Sequence, residues 1–166
     1  MNPLLSAWTT EFNLPPFALI EDGHFAPAVD AALDQARANI AAIADSEDAP
    51  TFENTIDALE LADDVLSRVL GVFYNLAGAD ATPAREALMR EFSPKLAAYG
   101  SEITMNAALF QRIELLWEAR DDLGLSDEQA RVLYLTRRGF VRAGAALQGA
   151  DRDRLSAIKE RLAVLG

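Results

Sequence analysis

Apolar residues recur along this chain at spacings of three and four, with no stretch of strict alternation, so the pattern predicts helices and no strands. From residue 25 to 44, Val29, Leu33, Ala36, Ile40 and Ile43 fall on one helical face, and Pro27 fits the first turn. Asp45 to Pro50 form a polar connector, after which the Thr51 hydroxyl caps a second helix. That helix carries Phe52, Ile56, Leu59, Leu66, Leu70 and Phe73, a seam spaced like the a and d positions of a heptad. Asp63 stands where an apolar residue would complete the seam, and its expected place is a seam edge open to water, because burying a lone carboxylate is costly.

Prolines and caps divide the remainder. Thr82-Pro83 and Ser93-Pro94 each combine a capping hydroxyl with proline at the first helical position. Proline inside a helix costs ~3 kcal/mol or more, which predicts a break near residue 92 and helices at 83 to 92, 94 to 104 and 107 to 120. Residues 121 to 125 close that segment, and Ser126 with Gln129 forms a capping box for a helix running to Leu147. Gly149 is expected to end it and Asp151 to cap a last helix, whose Leu155, Ile158, Leu162 and Leu165 form an apolar stripe open to a further partner. Gly139 and Gly144, inside the helical pattern, are expected to permit close helix approach. Residues 1 to 22, with Pro3, Pro15 and Pro16 and no sustained period, read as an extended arm lying across the helices. The predicted fold is all-α: a multi-helix, bundle-like domain over residues 23 to 166 with that extended N-terminal arm.

Composition narrows the function classes. Of 166 residues 51% are hydrophobic, enough to bury a core, and there is no cysteine, which removes disulfides, thiolate metal sites and cysteine nucleophiles. The first residues lack the basic start and apolar core of a signal peptide, and no apolar run reaches the length of a membrane span, so a cytoplasmic location is expected. The net charge is −11. Residues 1 to 84 hold 14 acidic and two basic side chains, and residues 85 to 166 hold 12 and 13. An acidic first half repels phosphate backbones, and neither nucleic acid nor membrane is expected as a partner.

Candidate chemistry is sparse. His24 is the only histidine, so a zinc site of two or three histidines is impossible here, and its expected role is a local hydrogen bond at a helix start. The acidic run Asp45 to Asp48 lacks the glycine and final glutamate of a calcium loop and reads as a solvated turn. Arg137, Arg138 and Arg142 are expected in surface or interhelical ion pairs, although such a group can also hold a carboxylate or phosphate.

Several motifs occur in a telling order: Asn2-Pro3-Leu4-Leu5, Leu14-Pro15-Pro16-Phe17, His24 to Ala28, Pro50 to Glu60, Val72-Phe73, Leu109 to Ile113, Leu123-Gly124-Leu125, Arg138 with Phe140 to Leu147, and Arg154-Leu155. In this order the chain resembles the N-terminal region of the peptidyl-dipeptidase and oligopeptidase A (thimet oligopeptidase-like) family of zinc metallopeptidases, with the closer likeness to the peptidyl-dipeptidase branch. The resemblance implies a parent enzyme whose His-Glu-x-x-His helix binds zinc and supplies the general base. No such motif occurs in this chain. The expectation is therefore a piece that ends before the catalytic part, is inactive alone and contains no catalytic, cofactor-binding or metal-ligating residue. The resemblance further implies that the zinc is bound outside this chain, that the partners are the catalytic domain of the same polypeptide and short peptide substrates, and that this region forms part of the channel wall or lid. The competing class is a stand-alone helical interaction module that holds a partner in a helix groove. The reading frame beyond Gly166 separates the two.

Overall fold

A computed structural model describes residues 1–147, 149–151, 154, 155, 158 and 161. The protein is all-α, and no strand occurs among the described residues. Its helices are α1 (Phe25–Ala44), α2 (Ala58–Leu61), α3 (Asp64–Ala79), α4 (Pro83–Thr104), α5 (Ala107–Ala119) and α6 (Asp127–Ala143), with a π-helical turn over Phe52–Asp57. The chain folds into two compact units, one of Met1–Ile43 with Asp57–Gly100 and the other of Ala44–Ile56 with Ser101–Gly166.

The first unit is centred on three aromatic rings. Phe25, Phe73 and Phe92 are fully buried, and Phe73 meets the other two edge-on at centroid distances of 5.1 and 4.9 Å. Each such pair adds ~0.5–1.5 kcal/mol beyond area burial, which makes Phe73 the pivot of this core. The expected α1 stripe of Val29, Leu33, Ala36, Ile40 and Ile43 is buried throughout. Lys95 on α4 donates to Asp30 on α1 at 2.6 Å and to Glu91 at 2.9 Å. These bonds hold its ammonium charged above the ordinary lysine range, so what they contribute is present at neutral pH and lost only as pH rises through the raised value.

The seam expected from Phe52 to Phe73 is not one helix. A π turn opens it, and the chain breaks again at Ala62-Asp63, where Asp63 has φ −115° and ψ 21°. The Ala62 carbonyl at the break accepts a hydrogen bond from Asn39 Nδ2 at 2.8 Å. Half-buried Asp63 therefore occupies a junction between helices rather than a gap in a continuous seam. The two interruptions shift the register. Ala62, Leu66, Val69, Phe73 and Ala77 form the buried stripe of this region, while Leu59 and Leu70 are only half-buried.

Pro94 also departs from expectation. Helix α4 runs unbroken through it, because the helix is polar, buries only Phe92 and Tyr99, and places Arg90 and Pro94 on its exposed side. The carbonyl four residues before the proline, deprived of its amide donor, lies where water can serve it, and the Ser93 hydroxyl donates to the Met89 carbonyl at 2.9 Å. The Thr82 cap at the start of α4 is present, its hydroxyl accepting from the Arg85 amide at 3.2 Å.

The arm is extended at Thr10, Leu14, Ile20 and Glu21, but 3-10 turns interrupt it at Glu11–Asn13, Phe17–Leu19 and Asp22–His24. Leu4 is fully buried, Asn2 Nδ2 donates to the His24 carbonyl at 2.8 Å, and the Arg68 guanidinium lies 5.0 Å from the Trp8 ring centre.

In the second unit α5 and α6 pack together over Leu109, Ile113, Leu116, Leu133 and Phe140. The Ser126–Gln129 capping box is present, its two bonds at 3.0 and 3.2 Å. Helix α6 ends at Ala143 rather than Leu147. Gly144 takes φ +99°, and the amides of Gly144 and Ala145 return to the carbonyls of Val141 and Phe140. A methyl group on Gly144 would sit 2.1 Å from Leu155 Cδ2, whereas one on Gly139 would meet open space. The close approach expected at both glycines occurs only at Gly144, as a helix terminator. Asp151, expected as a cap, is itself helical, as are Gly149 and Ala150 before it. Of the last apolar stripe, Leu155 is half-buried and Ile158 exposed, and Leu162 and Leu165 lie outside the described residues.

Two stability outcomes follow for urea titrations. Phe73→Ala lowers unfolding free energy by about 3–5 kcal/mol, the range for a large buried ring. Pro94→Ala raises it, because the helix regains a backbone hydrogen bond and loses a ring clash; an unchanged or lower midpoint would show that the proline is already accommodated without cost.

Candidate functional site

The motif around residues 49 to 60 organises a polar knot in the second unit. Thr51 and Asn54 cap each other's backbone, the Asn54 amide donating to Thr51 Oγ1 at 3.1 Å and the Thr51 amide to Asn54 Oδ1 at 2.8 Å. Asn54 Nδ2 donates to the Ala49 carbonyl at 3.0 Å, and the fully buried Thr55 hydroxyl donates to Asn54 Oδ1 at 2.9 Å. The same oxygen accepts from Arg112 Nη2 of α5 at 3.0 Å. Arg112, only 6% exposed, also donates through Nη1 to the carbonyls of Ser46 and Asp48 at 3.0 and 2.9 Å. Among the described residues no carboxylate pairs with this guanidinium, and oriented carbonyl oxygens solvate its charge. The acidic side chains of Asp45, Glu47 and Asp48 stay exposed, as a solvated turn requires. The sequence reading missed Arg112, and its only signal was an arginine on the apolar face Leu109, Ile113, Leu116.

His24 sits at the 3-10 turn before α1, and its Nδ1 accepts from the Glu21 amide at 3.0 Å. This is the local bond expected of it. Among the described residues no three potential ligands converge as a metal site requires, and the whole sequence holds a single histidine, so the residues here do not fit zinc.

The arginines of α6 adopt two roles. Arg137 forms a two-pronged pair with Glu114 of α5, at 2.5 and 3.2 Å, and its guanidinium lies 5.1 Å from the Trp117 ring centre. Arg131 and Arg138 instead lie 5.3 Å from the Tyr134 ring centre, and neither meets a carboxylate among the described residues. Arg120 stacks 4.5 Å from Trp117, with Nη1 donating to the Trp117 carbonyl and Nη2 facing Asp121 at 3.4 Å. Beside this group opens a cavity of about 600 Å³ lined by Trp117, Arg120, Leu125, Arg131, Leu133 and Tyr134, among others.

No protein-family model matches the chain. Its sequence is 38% identical over 165 residues to a dipeptidyl carboxypeptidase of Escherichia coli (strain K12), and that match covers 99% of this chain and 24% of the relative. A dipeptidyl carboxypeptidase of Salmonella typhimurium is likewise 38% identical over 164 residues. Oligopeptidase A of Escherichia coli is 30% identical over 166 residues, again 99% of this chain and 24% of the relative. The chain belongs to the dipeptidyl carboxypeptidase and oligopeptidase A family. The match is to an N-terminal region of these proteins, and the chain spans about a quarter of their length. The order of motifs that carries the resemblance includes Asn54 and Arg112, whose joint role is to fasten the connector to α5.

The knot sets a stability outcome measurable by urea or thermal unfolding. Arg112→Met removes the donors to the Ser46 and Asp48 carbonyls while Asn54 Oδ1 keeps those of Thr51 and Thr55, and it costs about 1–3 kcal/mol, as does Asn54→Ala. Arg137→Gln, which breaks a pair roughly one-third exposed, costs no more than about 1 kcal/mol. Equal losses at Arg112 and Arg137 would contradict the assignment of the buried cation as the anchor.

Proposed function

We propose that this chain is the non-catalytic N-terminal helical region of a longer zinc metallopeptidase related to the dipeptidyl carboxypeptidases, and that it forms part of the wall or lid of the channel through which short peptides reach the metal. The observation that carries this reading is the match of 99% of the chain to only 24% of each peptidase. Most of each relative, and with it room for a catalytic domain, has no counterpart here. Chemistry points the same way. The His-Glu-x-x-His helix implied for the family needs two histidines, and this sequence holds one, whose Nδ1 accepts from the Glu21 amide at a helix start. Packed helices instead suit a barrier that excludes water and folded proteins from a reacting centre.

In this reading the partners are the catalytic domain of the same polypeptide and short peptides. No helix among the described residues is long and apolar enough to cross a membrane. The expected result is peptide hydrolysis, with zinc supplied, by the full-length gene product and none by residues 1 to 166 alone, with a chelator abolishing the former. Hydrolysis by the 166-residue chain would defeat the non-catalytic assignment. Absence of hydrolysis by both would return the helical interaction module to first place.

A further inference from the structure

The N-terminal arm presents a surface that its own unit does not use. Phe12, Leu14, Phe17 and Leu19, all within one short stretch of the arm, are 83%, 55%, 49% and 65% exposed. Apolar side chains exposed singly are ordinary, but a run of large ones on one segment marks a contact surface. Phe12 and Asn13 also hold left-handed backbone, with φ 59° and 54°, a conformation that an aromatic residue rarely adopts. The segment that carries them is fastened close by. Leu4 is fully buried, and Trp8 Nε1 donates to the Pro3 carbonyl at 3.0 Å.

Leu14 and Phe17 border a groove of about 300 Å³ whose other side is α3, through Arg68, Val72 and Asn75, and Trp8 lines it as well. That volume is at the lower end of the ~300–1,000 Å³ of small-ligand sites, room for one or two side chains. Arg68 is the only charged residue among those described that line it. Residues 1 to 84 hold only two basic side chains, and Arg37 pairs with Asp34 at 3.6 Å. The Arg68 guanidinium meets the Trp8 ring but no carboxylate among the described residues, and its buried Nε has no hydrogen-bond partner. Anions are not scarce, since 14 acidic side chains lie in the same stretch. An apolar wall beside an unpaired forked donor suits an incoming chain segment with one apolar and one acidic side chain.

We propose that this groove seats a segment of the same polypeptide lying beyond residue 166, which brings a carboxylate to the terminal nitrogens of Arg68 and an apolar side chain to Leu14 and Phe17. The choice of occupant rests on the reading of this chain as part of a longer peptidase: the match covers 24% of the relative, so most of such a polypeptide is available to cover the arm. A carboxylate reaches a guanidinium in the plane of its donors, away from the ring face that the guanidinium covers. A second copy of this chain fits less well, because it would set two halves with 14 acidic and two basic side chains against each other. A single carboxylate is governed by the cation it touches, since charges beyond about 8 Å are screened at physiological ionic strength.

The test is photo-crosslinking within the full-length gene product, with p-benzoylphenylalanine replacing Phe17 in one variant and Leu14 in a second, and with Leu61 of α2, 67% exposed, as the control position. Both arm probes join one stretch beyond residue 166 in a product of monomer mass, and the Leu61 probe does not join that stretch. Arg68→Gln lowers the yield at Phe17 by about threefold, the scale of a partly exposed ion pair, and Arg68→Glu lowers it further. Both substitutions remove the contact with Trp8, so the difference between them reads the charge of the incoming segment alone. Cross-links confined to residues 1 to 166, a product of dimer mass, no arm cross-link in a protein that keeps its helicity by circular dichroism, or equal yields in the two Arg68 variants overturns the assignment. Peptide hydrolysis by the same product is measured separately. An active zinc peptidase with silent arm probes defeats the docking groove alone, whereas arm cross-links in a product that hydrolyses no peptide defeat the peptidase reading and leave the groove standing.

Discussion

A guanidinium withdrawn from water needs hydrogen-bond partners, and in the second unit Arg112 has them at both terminal nitrogens, while its buried Nε has none among the described residues. Two of its nitrogens find three oxygens, two of them backbone carbonyls in the connector after α1 and the third the side chain of Asn54. Those carbonyls belong to residues that no regular element holds, so the arginine gives an irregular loop a fixed conformation. Asn54 then transmits the constraint, because the oxygen that accepts from Arg112 also accepts from the Thr51 amide and the Thr55 hydroxyl at the start of the π turn. A loop, a helix start and a helix interior are tied by one cation, and among the described residues the tie is made to carbonyl oxygens rather than to a carboxylate.

Elsewhere the helices tolerate interruption under the same rule: each backbone group that loses its partner is given another or faces water. The break between α2 and α3 sends the Ala62 carbonyl to Asn39, and the left-handed Gly144 returns two amides to the last turn of α6. Pro94 is the water-served case. These provisions explain why a strong breaker leaves α4 whole while a stretch without any proline is divided at Asp63.

The functional picture is one of absence in one respect and surplus in another. Among the described residues no three potential metal ligands converge, and the chain corresponds to a quarter of each related peptidase. Arginine, by contrast, is present beyond what internal pairing uses. Arg112, Arg120 and Arg137 bond to other groups of the fold, and among the described residues Arg131 and Arg138 meet the Tyr134 ring.

Much of this was open to a reader of the sequence. The span of α1, the caps at Thr51, Thr82 and Ser126, and the all-helical class follow from local periodicity and from side chains that reach only their own backbone, and such effects are written residue by residue. Motif order carried the family in the same way, since it needs no coordinates. What tertiary structure alone decided were the places where a local rule met a distant partner or the solvent. Pro94 breaks a helix by local rules but not on a face where water serves the freed carbonyl. The Phe52–Phe73 seam is continuous by its spacing but divided where Asn39, 23 residues away in sequence, supplies the bond that makes a break inexpensive. Arg112 was visible only as a charge on an apolar face, because the three oxygens that justify it lie 58 to 66 residues earlier in the chain. Periodicity records which side of a helix is buried; it does not record what waits there.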